Sequence, residues 1–372
     1  MTKISKLYVF EPLQGEPTIH LLTLTKEEPN PESTLFTTAL PNDFAFKNFL
    51  TTTDINDADY IILPSGIRSL APSVRAYLAR ARTLSVETGK PVIALPSGDL
   101  AHRITISDMV LVRGSQYRHR LGGNEIMIPP FSEDLGSFYG VTIRDKNVRP
   151  LVGFCGWAGF PTLRSRVRYV LDTAFYSLLS SVPGLQHHAV YKKGVYWRRK
   201  SMELLRRDPR IDTQFIMRNS FSGSVKTISL PPEQARKEYV ENMRSVDFAL
   251  TPKGDANASI RLYEALSMGR VPIIIDTDMP LPFEDVLDYS SFSLRVPYTK
   301  ISSLADYVCD FHASLSNEQF RDMQQRAREA YVNYLRYDAV FNQIFGSDSI
   351  TRAGEVAMKN RTESVVETQS LW

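Results

Sequence analysis

Short apolar runs alternate with polar, helix-spaced stretches through the first 147 residues. The runs at 7–10, 60–63, 92–95, 109–112 and 126–128 have strand length and are rich in β-branched residues, and most end at Pro, Ser or Gly. The spacing predicts a helix over 73–87, stopped by Gly89-Lys90-Pro91. Continuously apolar strands that alternate with helices indicate a parallel sheet covered on both faces.

The polar segment 143–150, ending in Pro150, reads as a linker, and the pattern then restarts. A strand at 151–155 leads through the turn Gly156-Trp157-Ala158-Gly159 to a helix. Its stripe Val167, Val170, Leu171, Ala174, Phe175 and Leu178 is expected to face a core. Residues 215–217 suggest a further strand, and Pro231-Pro232 opens a helix, since proline suits a first turn. Next come a strand at 246–250, a polar loop at 251–258 and a helix at 259–268. Gly269 ends that helix before a strand at 271–276. Leu304, Tyr307, Val308, Phe311 and Leu315 form one helical stripe. Phe320, Met323, Ala327, Tyr331, Tyr334 and Leu335 form another, opened by the capping pair Ser316 and Gln319.

These patterns predict an α/β protein with two Rossmann-like domains facing across a cleft, at 1–147 and 148–345. Residues 346–372 read as a mobile polar tail.

Composition narrows the class without naming a chemistry. Hydrophobic residues at 43% and charged residues at 23% suit a globular chain with real cores. A net charge of +3 gives no general reason to bind nucleic acid. The two cysteines, Cys155 and Cys309, lack metal-ligand spacing and read as core thiols of a reducing compartment. The apolar run near the N-terminus is too short for a signal peptide, and no stretch reaches the roughly 20 apolar residues of a spanning helix. A cytoplasmic location without a transmembrane segment is the expectation.

The strand, loop and helix at 246–268 have the form of an anion site. A helix start presents unpaired N–H groups and the positive end of its dipole. Gly254 lets a diphosphate approach the loop backbone, Ser259 adds a hydroxyl donor, and Arg261 adds a guanidinium fork. Glu264, one turn on, suits ribose hydroxyls. The plain alternative is a capped helix with a surface Arg–Glu pair.

The same stretch resembles the C-terminal signature of exostosin-type glycosyltransferases. Ser259, Arg261, Glu264, Ala265, Gly269, Pro272, Leu281, Pro282, Phe283 and Asp285 fall in register with that pattern. Weaker echoes occur at Ala58-Asp59-Tyr60, Ile128-Pro129-Pro130 and Gly153-Phe154-Cys155-Gly156. About fifty residues match well, and two-thirds of the chain matches loosely. The resemblance implies a GT-B fold, with an N-terminal acceptor domain and a nucleotide sugar held mainly by the C-terminal domain. It also implies transfer with inversion and no obligatory metal. The expected donor is UDP-linked and acts as substrate, so no cofactor is assigned. Asp276-Thr277-Asp278 has the spacing of a metal-binding Asp-x-Asp. Within the exostosin pattern it ends a strand and shapes a loop. The expectation is a protein that departs from animal members in lacking their membrane anchor and second transferase domain, with an N-terminal third only vaguely similar to theirs. Asn257-Ala258-Ser259 is a glycosylation sequon inside the loop, an awkward place for a glycan in a secretory compartment.

Inversion needs a base for the acceptor hydroxyl, expected from loops after N-terminal strands. Asp99 and His102 are the first candidates and Asp134 the next, although each also suits a turn or a helix cap. Among Arg164, Arg166 and Arg168, Arg164 is preferred for neutralising the departing diphosphate, against the plain reading of a solvated basic face. Lys192, Lys193, Arg198, Arg199, Lys200, Arg206, Arg207 and Arg210 interleave with Tyr191, Tyr196 and Trp197. An acidic glycan acceptor or RNA would suit such a patch, although its commonest explanation is a solvated helix face with the tyrosines tucked under. The reading that follows is an inverting transferase acting on a glycan or oligosaccharide acceptor. The alternatives are a silent glycan-binding or partner subunit, or a sugar-nucleotide epimerase of the same fold. Homo- or hetero-oligomerisation stays open.

Overall fold

The computed structural model describes residues 4–16, 18–23, 40–98, 101–160, 162–220 and 230–369. The first sheet contains β1 (Ser5–Val9), β2 (Phe49–Thr52), β3 (Tyr60–Ile62), β4 (Val92–Ala94), β5 (Val110–Arg113) and β6 (Glu125–Met127), in the order β2-β1-β3-β4-β5-β6. The second contains β7 (Leu151–Trp157), β8 (Asp212–Arg218), β9 (Phe248–Leu250), β10 (Val271–Asp276) and β11 (Leu294–Pro297), in the order β11-β10-β9-β7-β8. Every strand pair in both sheets is parallel. Each sheet is doubly wound, and its order reverses beside its first strand. Ligands bind such sheets at the carboxyl ends of the strands flanking that reversal, here β7 and β9 in the second.

In the first half the helices are α1 (His20–Thr23), α2 (Pro72–Thr88) and α3 (Leu135–Tyr139). The second half begins with α4 (Leu163–Ser181), α5 (Gly194–Arg207), α6 (Pro232–Ser245) and α7 (Ile260–Ser267). It ends with α8 (Leu304–Ser314), α9 (Asn317–Ala330), α10 (Tyr337–Gly346) and α11 (Ser349–Gln369). Gly89 and Gly269 end α2 and α7 at φ of 69° and 64°, a backbone region that suits glycine. The Ser316–Gln319 capping box is present at α9.

Alternation along the strands sends neighbours to opposite cores. Ile61, Val92 and Leu111 pack with Tyr77, Leu78 and Ala81 of α2, whereas Ile62, Ile93 and Val110 join a core on the other face. That second core corrects the expected tail. Phe341, Ile344 and Phe345 of α10 and Ile350, Ala353 and Ala357 of α11 cover the first sheet. The Phe345 ring lies 4.9 Å from that of Phe49. Ser349–Gln369 is therefore helical, and the chain recrosses to the N-terminal layer after Leu335, earlier than the expected boundary at 345. The strands β2 and β11 were not legible as apolar runs. β2 is the four residues Phe-Leu-Thr-Thr, with only Phe49 buried.

The expected core stripe of α4 is also corrected. The helix has no buried residue, and Val167, Val170, Leu171, Phe175 and Leu178 are all exposed. Periodicity locates a stripe but does not say which way it points.

Candidate functional site

The loop after β9 crosses the reversal point of the second sheet. Its ends are tied by the Gly254 amide donating to Ala258 O at 2.6 Å. Asn257 is fully buried and pins the loop from inside. Its Nδ2 donates to Gln116 O at 2.9 Å, and its Oδ1 accepts from Thr277 at 2.7 Å. The sequon asparagine is thus spent on packing, in a place no glycan could occupy. Gly194, at the start of α5, lies so close to the Lys253 and Gly254 carbonyls that a Cβ there would collide with them.

Cations gather around this loop with neutral partners. Arg261 donates to Cys155 O at 2.7 Å and stacks 4.2 Å from the Phe154 ring centre. Arg198 donates to Trp157 O at 2.8 Å. Both guanidiniums are anchored on the last turn of β7, and the Nε of each is buried without a hydrogen-bond partner among the described residues. Burial first, and the neighbouring Arg261 second, lower Arg198 to about 10, so it stays charged at neutral pH. Lys253 is 1% exposed and donates to Val190 O at 2.6 Å and to the Tyr117 hydroxyl at 3.2 Å. Burial lowers its pKa to about 7, against the weaker opposing pull of Asp255 and Asp172. Guanidinium and ammonium groups held by carbonyls rather than carboxylates keep their charge available for an anion.

The lysine has a measurable consequence. An anion beside it restores the ammonium form, so a nucleoside diphosphate should bind with proton uptake above pH 7. Calorimetry at pH 8 in two buffers of different ionisation enthalpy reads this directly. Zero uptake would separate Lys253 from the phosphates. In the free protein, from about 7 up to the ordinary 10.5, the unfolded chain holds a proton that the native state has released. Stability therefore rises with pH across that window.

Ser259 stands at the N-cap of α7, and its side chain makes no capping bond. Glu264 is buried, and Tyr239 donates to its Oε2 at 2.5 Å. Burial raises this carboxyl above its ordinary range, opposed by the Tyr239 hydrogen bond and by Arg261. Arg164 is exposed on the first turn of α4. The guanidiniums of Arg198 and Arg261 reach the end of β7.

Across the cleft, the loop between β5 and β6 meets the second domain. Arg118 N donates to Asp278 O at 2.8 Å, and its guanidinium pairs with Glu284 at 2.7 Å. His119 bonds the Asp278 carboxylate through Nδ1 and Tyr191 Oη through Nε2, the latter at 3.0 Å. Asp278 has a φ of 62°, a strained region for a residue with a Cβ, and these cross-cleft bonds hold it there. Asp276 faces elsewhere, pairing with Arg295 at 2.8 Å and accepting from Met279 N. The Asp-x-Asp run therefore ends β10 and shapes its loop, with its two carboxylates on different partners.

The base candidates separate clearly. Asp99 lies outside the described residues. His102 is half-buried, and its ring stands edge-on to Tyr117 with centres 5.5 Å apart. Tyr117 in turn touches Lys253, so His102 belongs to the cluster at the cleft. Asp134 is 3% exposed, caps α3 through Ser137 N, and pairs with Arg328. That carboxylate joins the two domains and is not open to an acceptor.

Sequence reasoning left Arg198 inside a surface patch and did not single out Lys253, Tyr117, His119 or Tyr239. The patch itself divides. Trp197 is core, Arg198 serves the site, and Arg210 pairs with Asp208 and Asp306. A lysine between Pro252 and Gly254 in a phosphate-like loop was the one signal available for Lys253.

Residues 198–309 match the model of the Exostosin GT47 domain. A probable glycosyltransferase of Arabidopsis thaliana is 35% identical over 112 residues, 30% of this chain and 24% of the relative. An exostosin-1 homolog of Caenorhabditis elegans is 31% identical over 104 residues, 28% of this chain and 26% of the relative. The chain spans about a quarter of the length of the curated relatives it matches. A glycosyltransferase structure from Rickettsia africae is similar over 96% of this chain and 99% of its own, at 11% identity and a TM-score of 0.35. The matched segment contains Arg198, the β9–α7 loop, Arg261 and Glu264, so residues 198–309 are similar to the Exostosin GT47 domain over the part of the chain that carries the loop and its cations.

Proposed function

We propose that the protein is an inverting glycosyltransferase that takes a sugar from a UDP-linked donor and passes it to a glycan acceptor. The observation that carries this reading is the convergence of Lys253, Arg198 and Arg261 on the strand-end loop, each hydrogen-bonded to neutral acceptors among the described residues. The diphosphate sits against these cations and the α7 start, with Ser259 as a further donor. Glu264 accepts from the ribose hydroxyls, its other oxygen held by Tyr239. His102, across the cleft, takes the acceptor hydroxyl proton as that oxygen attacks the anomeric carbon. The bond from that carbon to the diphosphate oxygen breaks on the opposite side. The leaving diphosphate takes the electron pair, stabilised by the fixed cations.

The decisive experiment incubates the protein with a panel of nucleotide sugars, with and without oligosaccharide acceptors. Release of nucleotide only in the presence of acceptor is expected. Isomerised sugar would mean an epimerase, and neither product would mean a binding subunit. Because protein cations replace a metal in this reading, turnover should survive excess EDTA. Loss of activity restored by manganese would move Asp276 and Asp278 into the site and overturn that assignment.

A further inference from the structure

The helix α4 is built inside out. Its side toward the protein carries Tyr169, Asp172, Thr173 and Tyr176, all partly covered. Its outward side carries Leu163 at 76% exposure, Leu171 at 65%, Phe175 at 59% and Leu178 at 73%, with Val167 and Val170 between them. At 3.6 residues per turn these six fall in one continuous stripe along the helix. Solvated apolar side chains in a contiguous patch mark an interaction surface, because single exposed ones need no explanation but a long ordered row does.

The charges beside the stripe indicate what covers it. Arg168 flanks it on one side and Arg166 on the other, Arg164 lies within its first turn, and all three are exposed. The one acid of the helix, Asp172, lies on the inner side. A basic helix with an outward apolar stripe is the form that lies in a membrane interface, the stripe among the acyl chains and the arginines at the headgroups. A second copy meets the charges poorly. Two α4 faces packed about a two-fold axis would offer no outward carboxylate to either set of arginines. Among the described residues no helix is long and apolar enough to cross a membrane, so this contact would be a surface one.

We infer that the outward face of α4 docks the protein on an anionic bilayer surface. The helix leaves β7 at the proposed donor site. On its inner side Tyr176 lies 6.1 Å, ring to ring, from Tyr191, which bonds His119 at the cleft. Docking through α4 therefore sets the cleft beside the bilayer.

The test floats the full chain with phosphatidylcholine vesicles, with and without phosphatidylglycerol. Three arginines near an anionic surface should favour the anionic vesicles about 100-fold, an advantage that shrinks as salt is added. The variant Leu171→Glu with Phe175→Glu changes two exposed positions and should keep the wild-type thermal transition while losing flotation. Equal partition into both vesicles, or unchanged flotation of the variant, overturns the inference. A wild-type dimer in the absence of lipid, converted to monomer by the same pair of substitutions, overturns it in favour of a second copy on this face.

Discussion

Replacing Arg261 by Ala is expected to weaken binding of uridine diphosphate by one to two orders of magnitude, with Arg198→Ala close behind. A hydrogen bond to a charged group contributes about 1.5–3 kcal/mol, and the factor follows from that range. The geometry makes the effect specific to the ligand. Arg261 is anchored by Cys155 O and the Phe154 ring, so its guanidinium is already oriented before any anion arrives. Little ordering entropy remains to oppose binding. The substitution Arg261→Lys keeps the charge but loses the fork, and should fall between wild type and Ala. Calorimetric titration with the nucleotide, alongside a thermal transition to confirm folding, makes the measurement. If neither Arg198→Ala nor Arg261→Ala changes the affinity, the donor does not sit at the end of β7.

The second large effect is on rate. His102→Ala should lower single-turnover transfer at saturating donor by about 10² to 10⁴, the range for removing a positioned base. Nucleotide affinity should stay near wild type, since the His102 ring stands against Tyr117, whose hydroxyl in turn accepts from Lys253. Tyr117→Phe is the useful companion. It deletes one of the two acceptors of the Lys253 ammonium but keeps the ring that supports His102, so it should disturb donor binding more than turnover. A His102→Ala protein that transfers sugar at wild-type speed would move the search to Asp99. Asp134 is no longer the natural fallback, because its carboxylate already caps α3 and meets Arg328.

The apolar runs at 60–63, 92–95 and 271–276 were legible because strands buried on both faces must be continuously apolar, which few other elements require. The β9–α7 unit was legible for a similar reason: a strand, a small-residue loop and a glycine-stopped helix are each local. Ser259, Arg261 and Glu264 could thus be proposed as a group from sequence, since their relation is set within about a turn and a half of helix. Tertiary structure decided the rest. Arg198 lies 63 positions from Arg261 along the chain. Only the pairing of β7 with β9, and the seating of α5 against the loop, brings both guanidiniums to one strand end. Lys253 was visible as a loop residue, but its burial depends on Val190 and Tyr117, from a distant turn and the other domain. The C-terminal helix escaped because Ala353 and Ala357 are weak hydrophobic signals, decisive only when a sheet waits to receive them. The stripe of α4 was read correctly as a stripe and wrongly as core. Its 3.6-residue period is a property of the helix alone, whereas its direction depends on which neighbours the rest of the chain supplies.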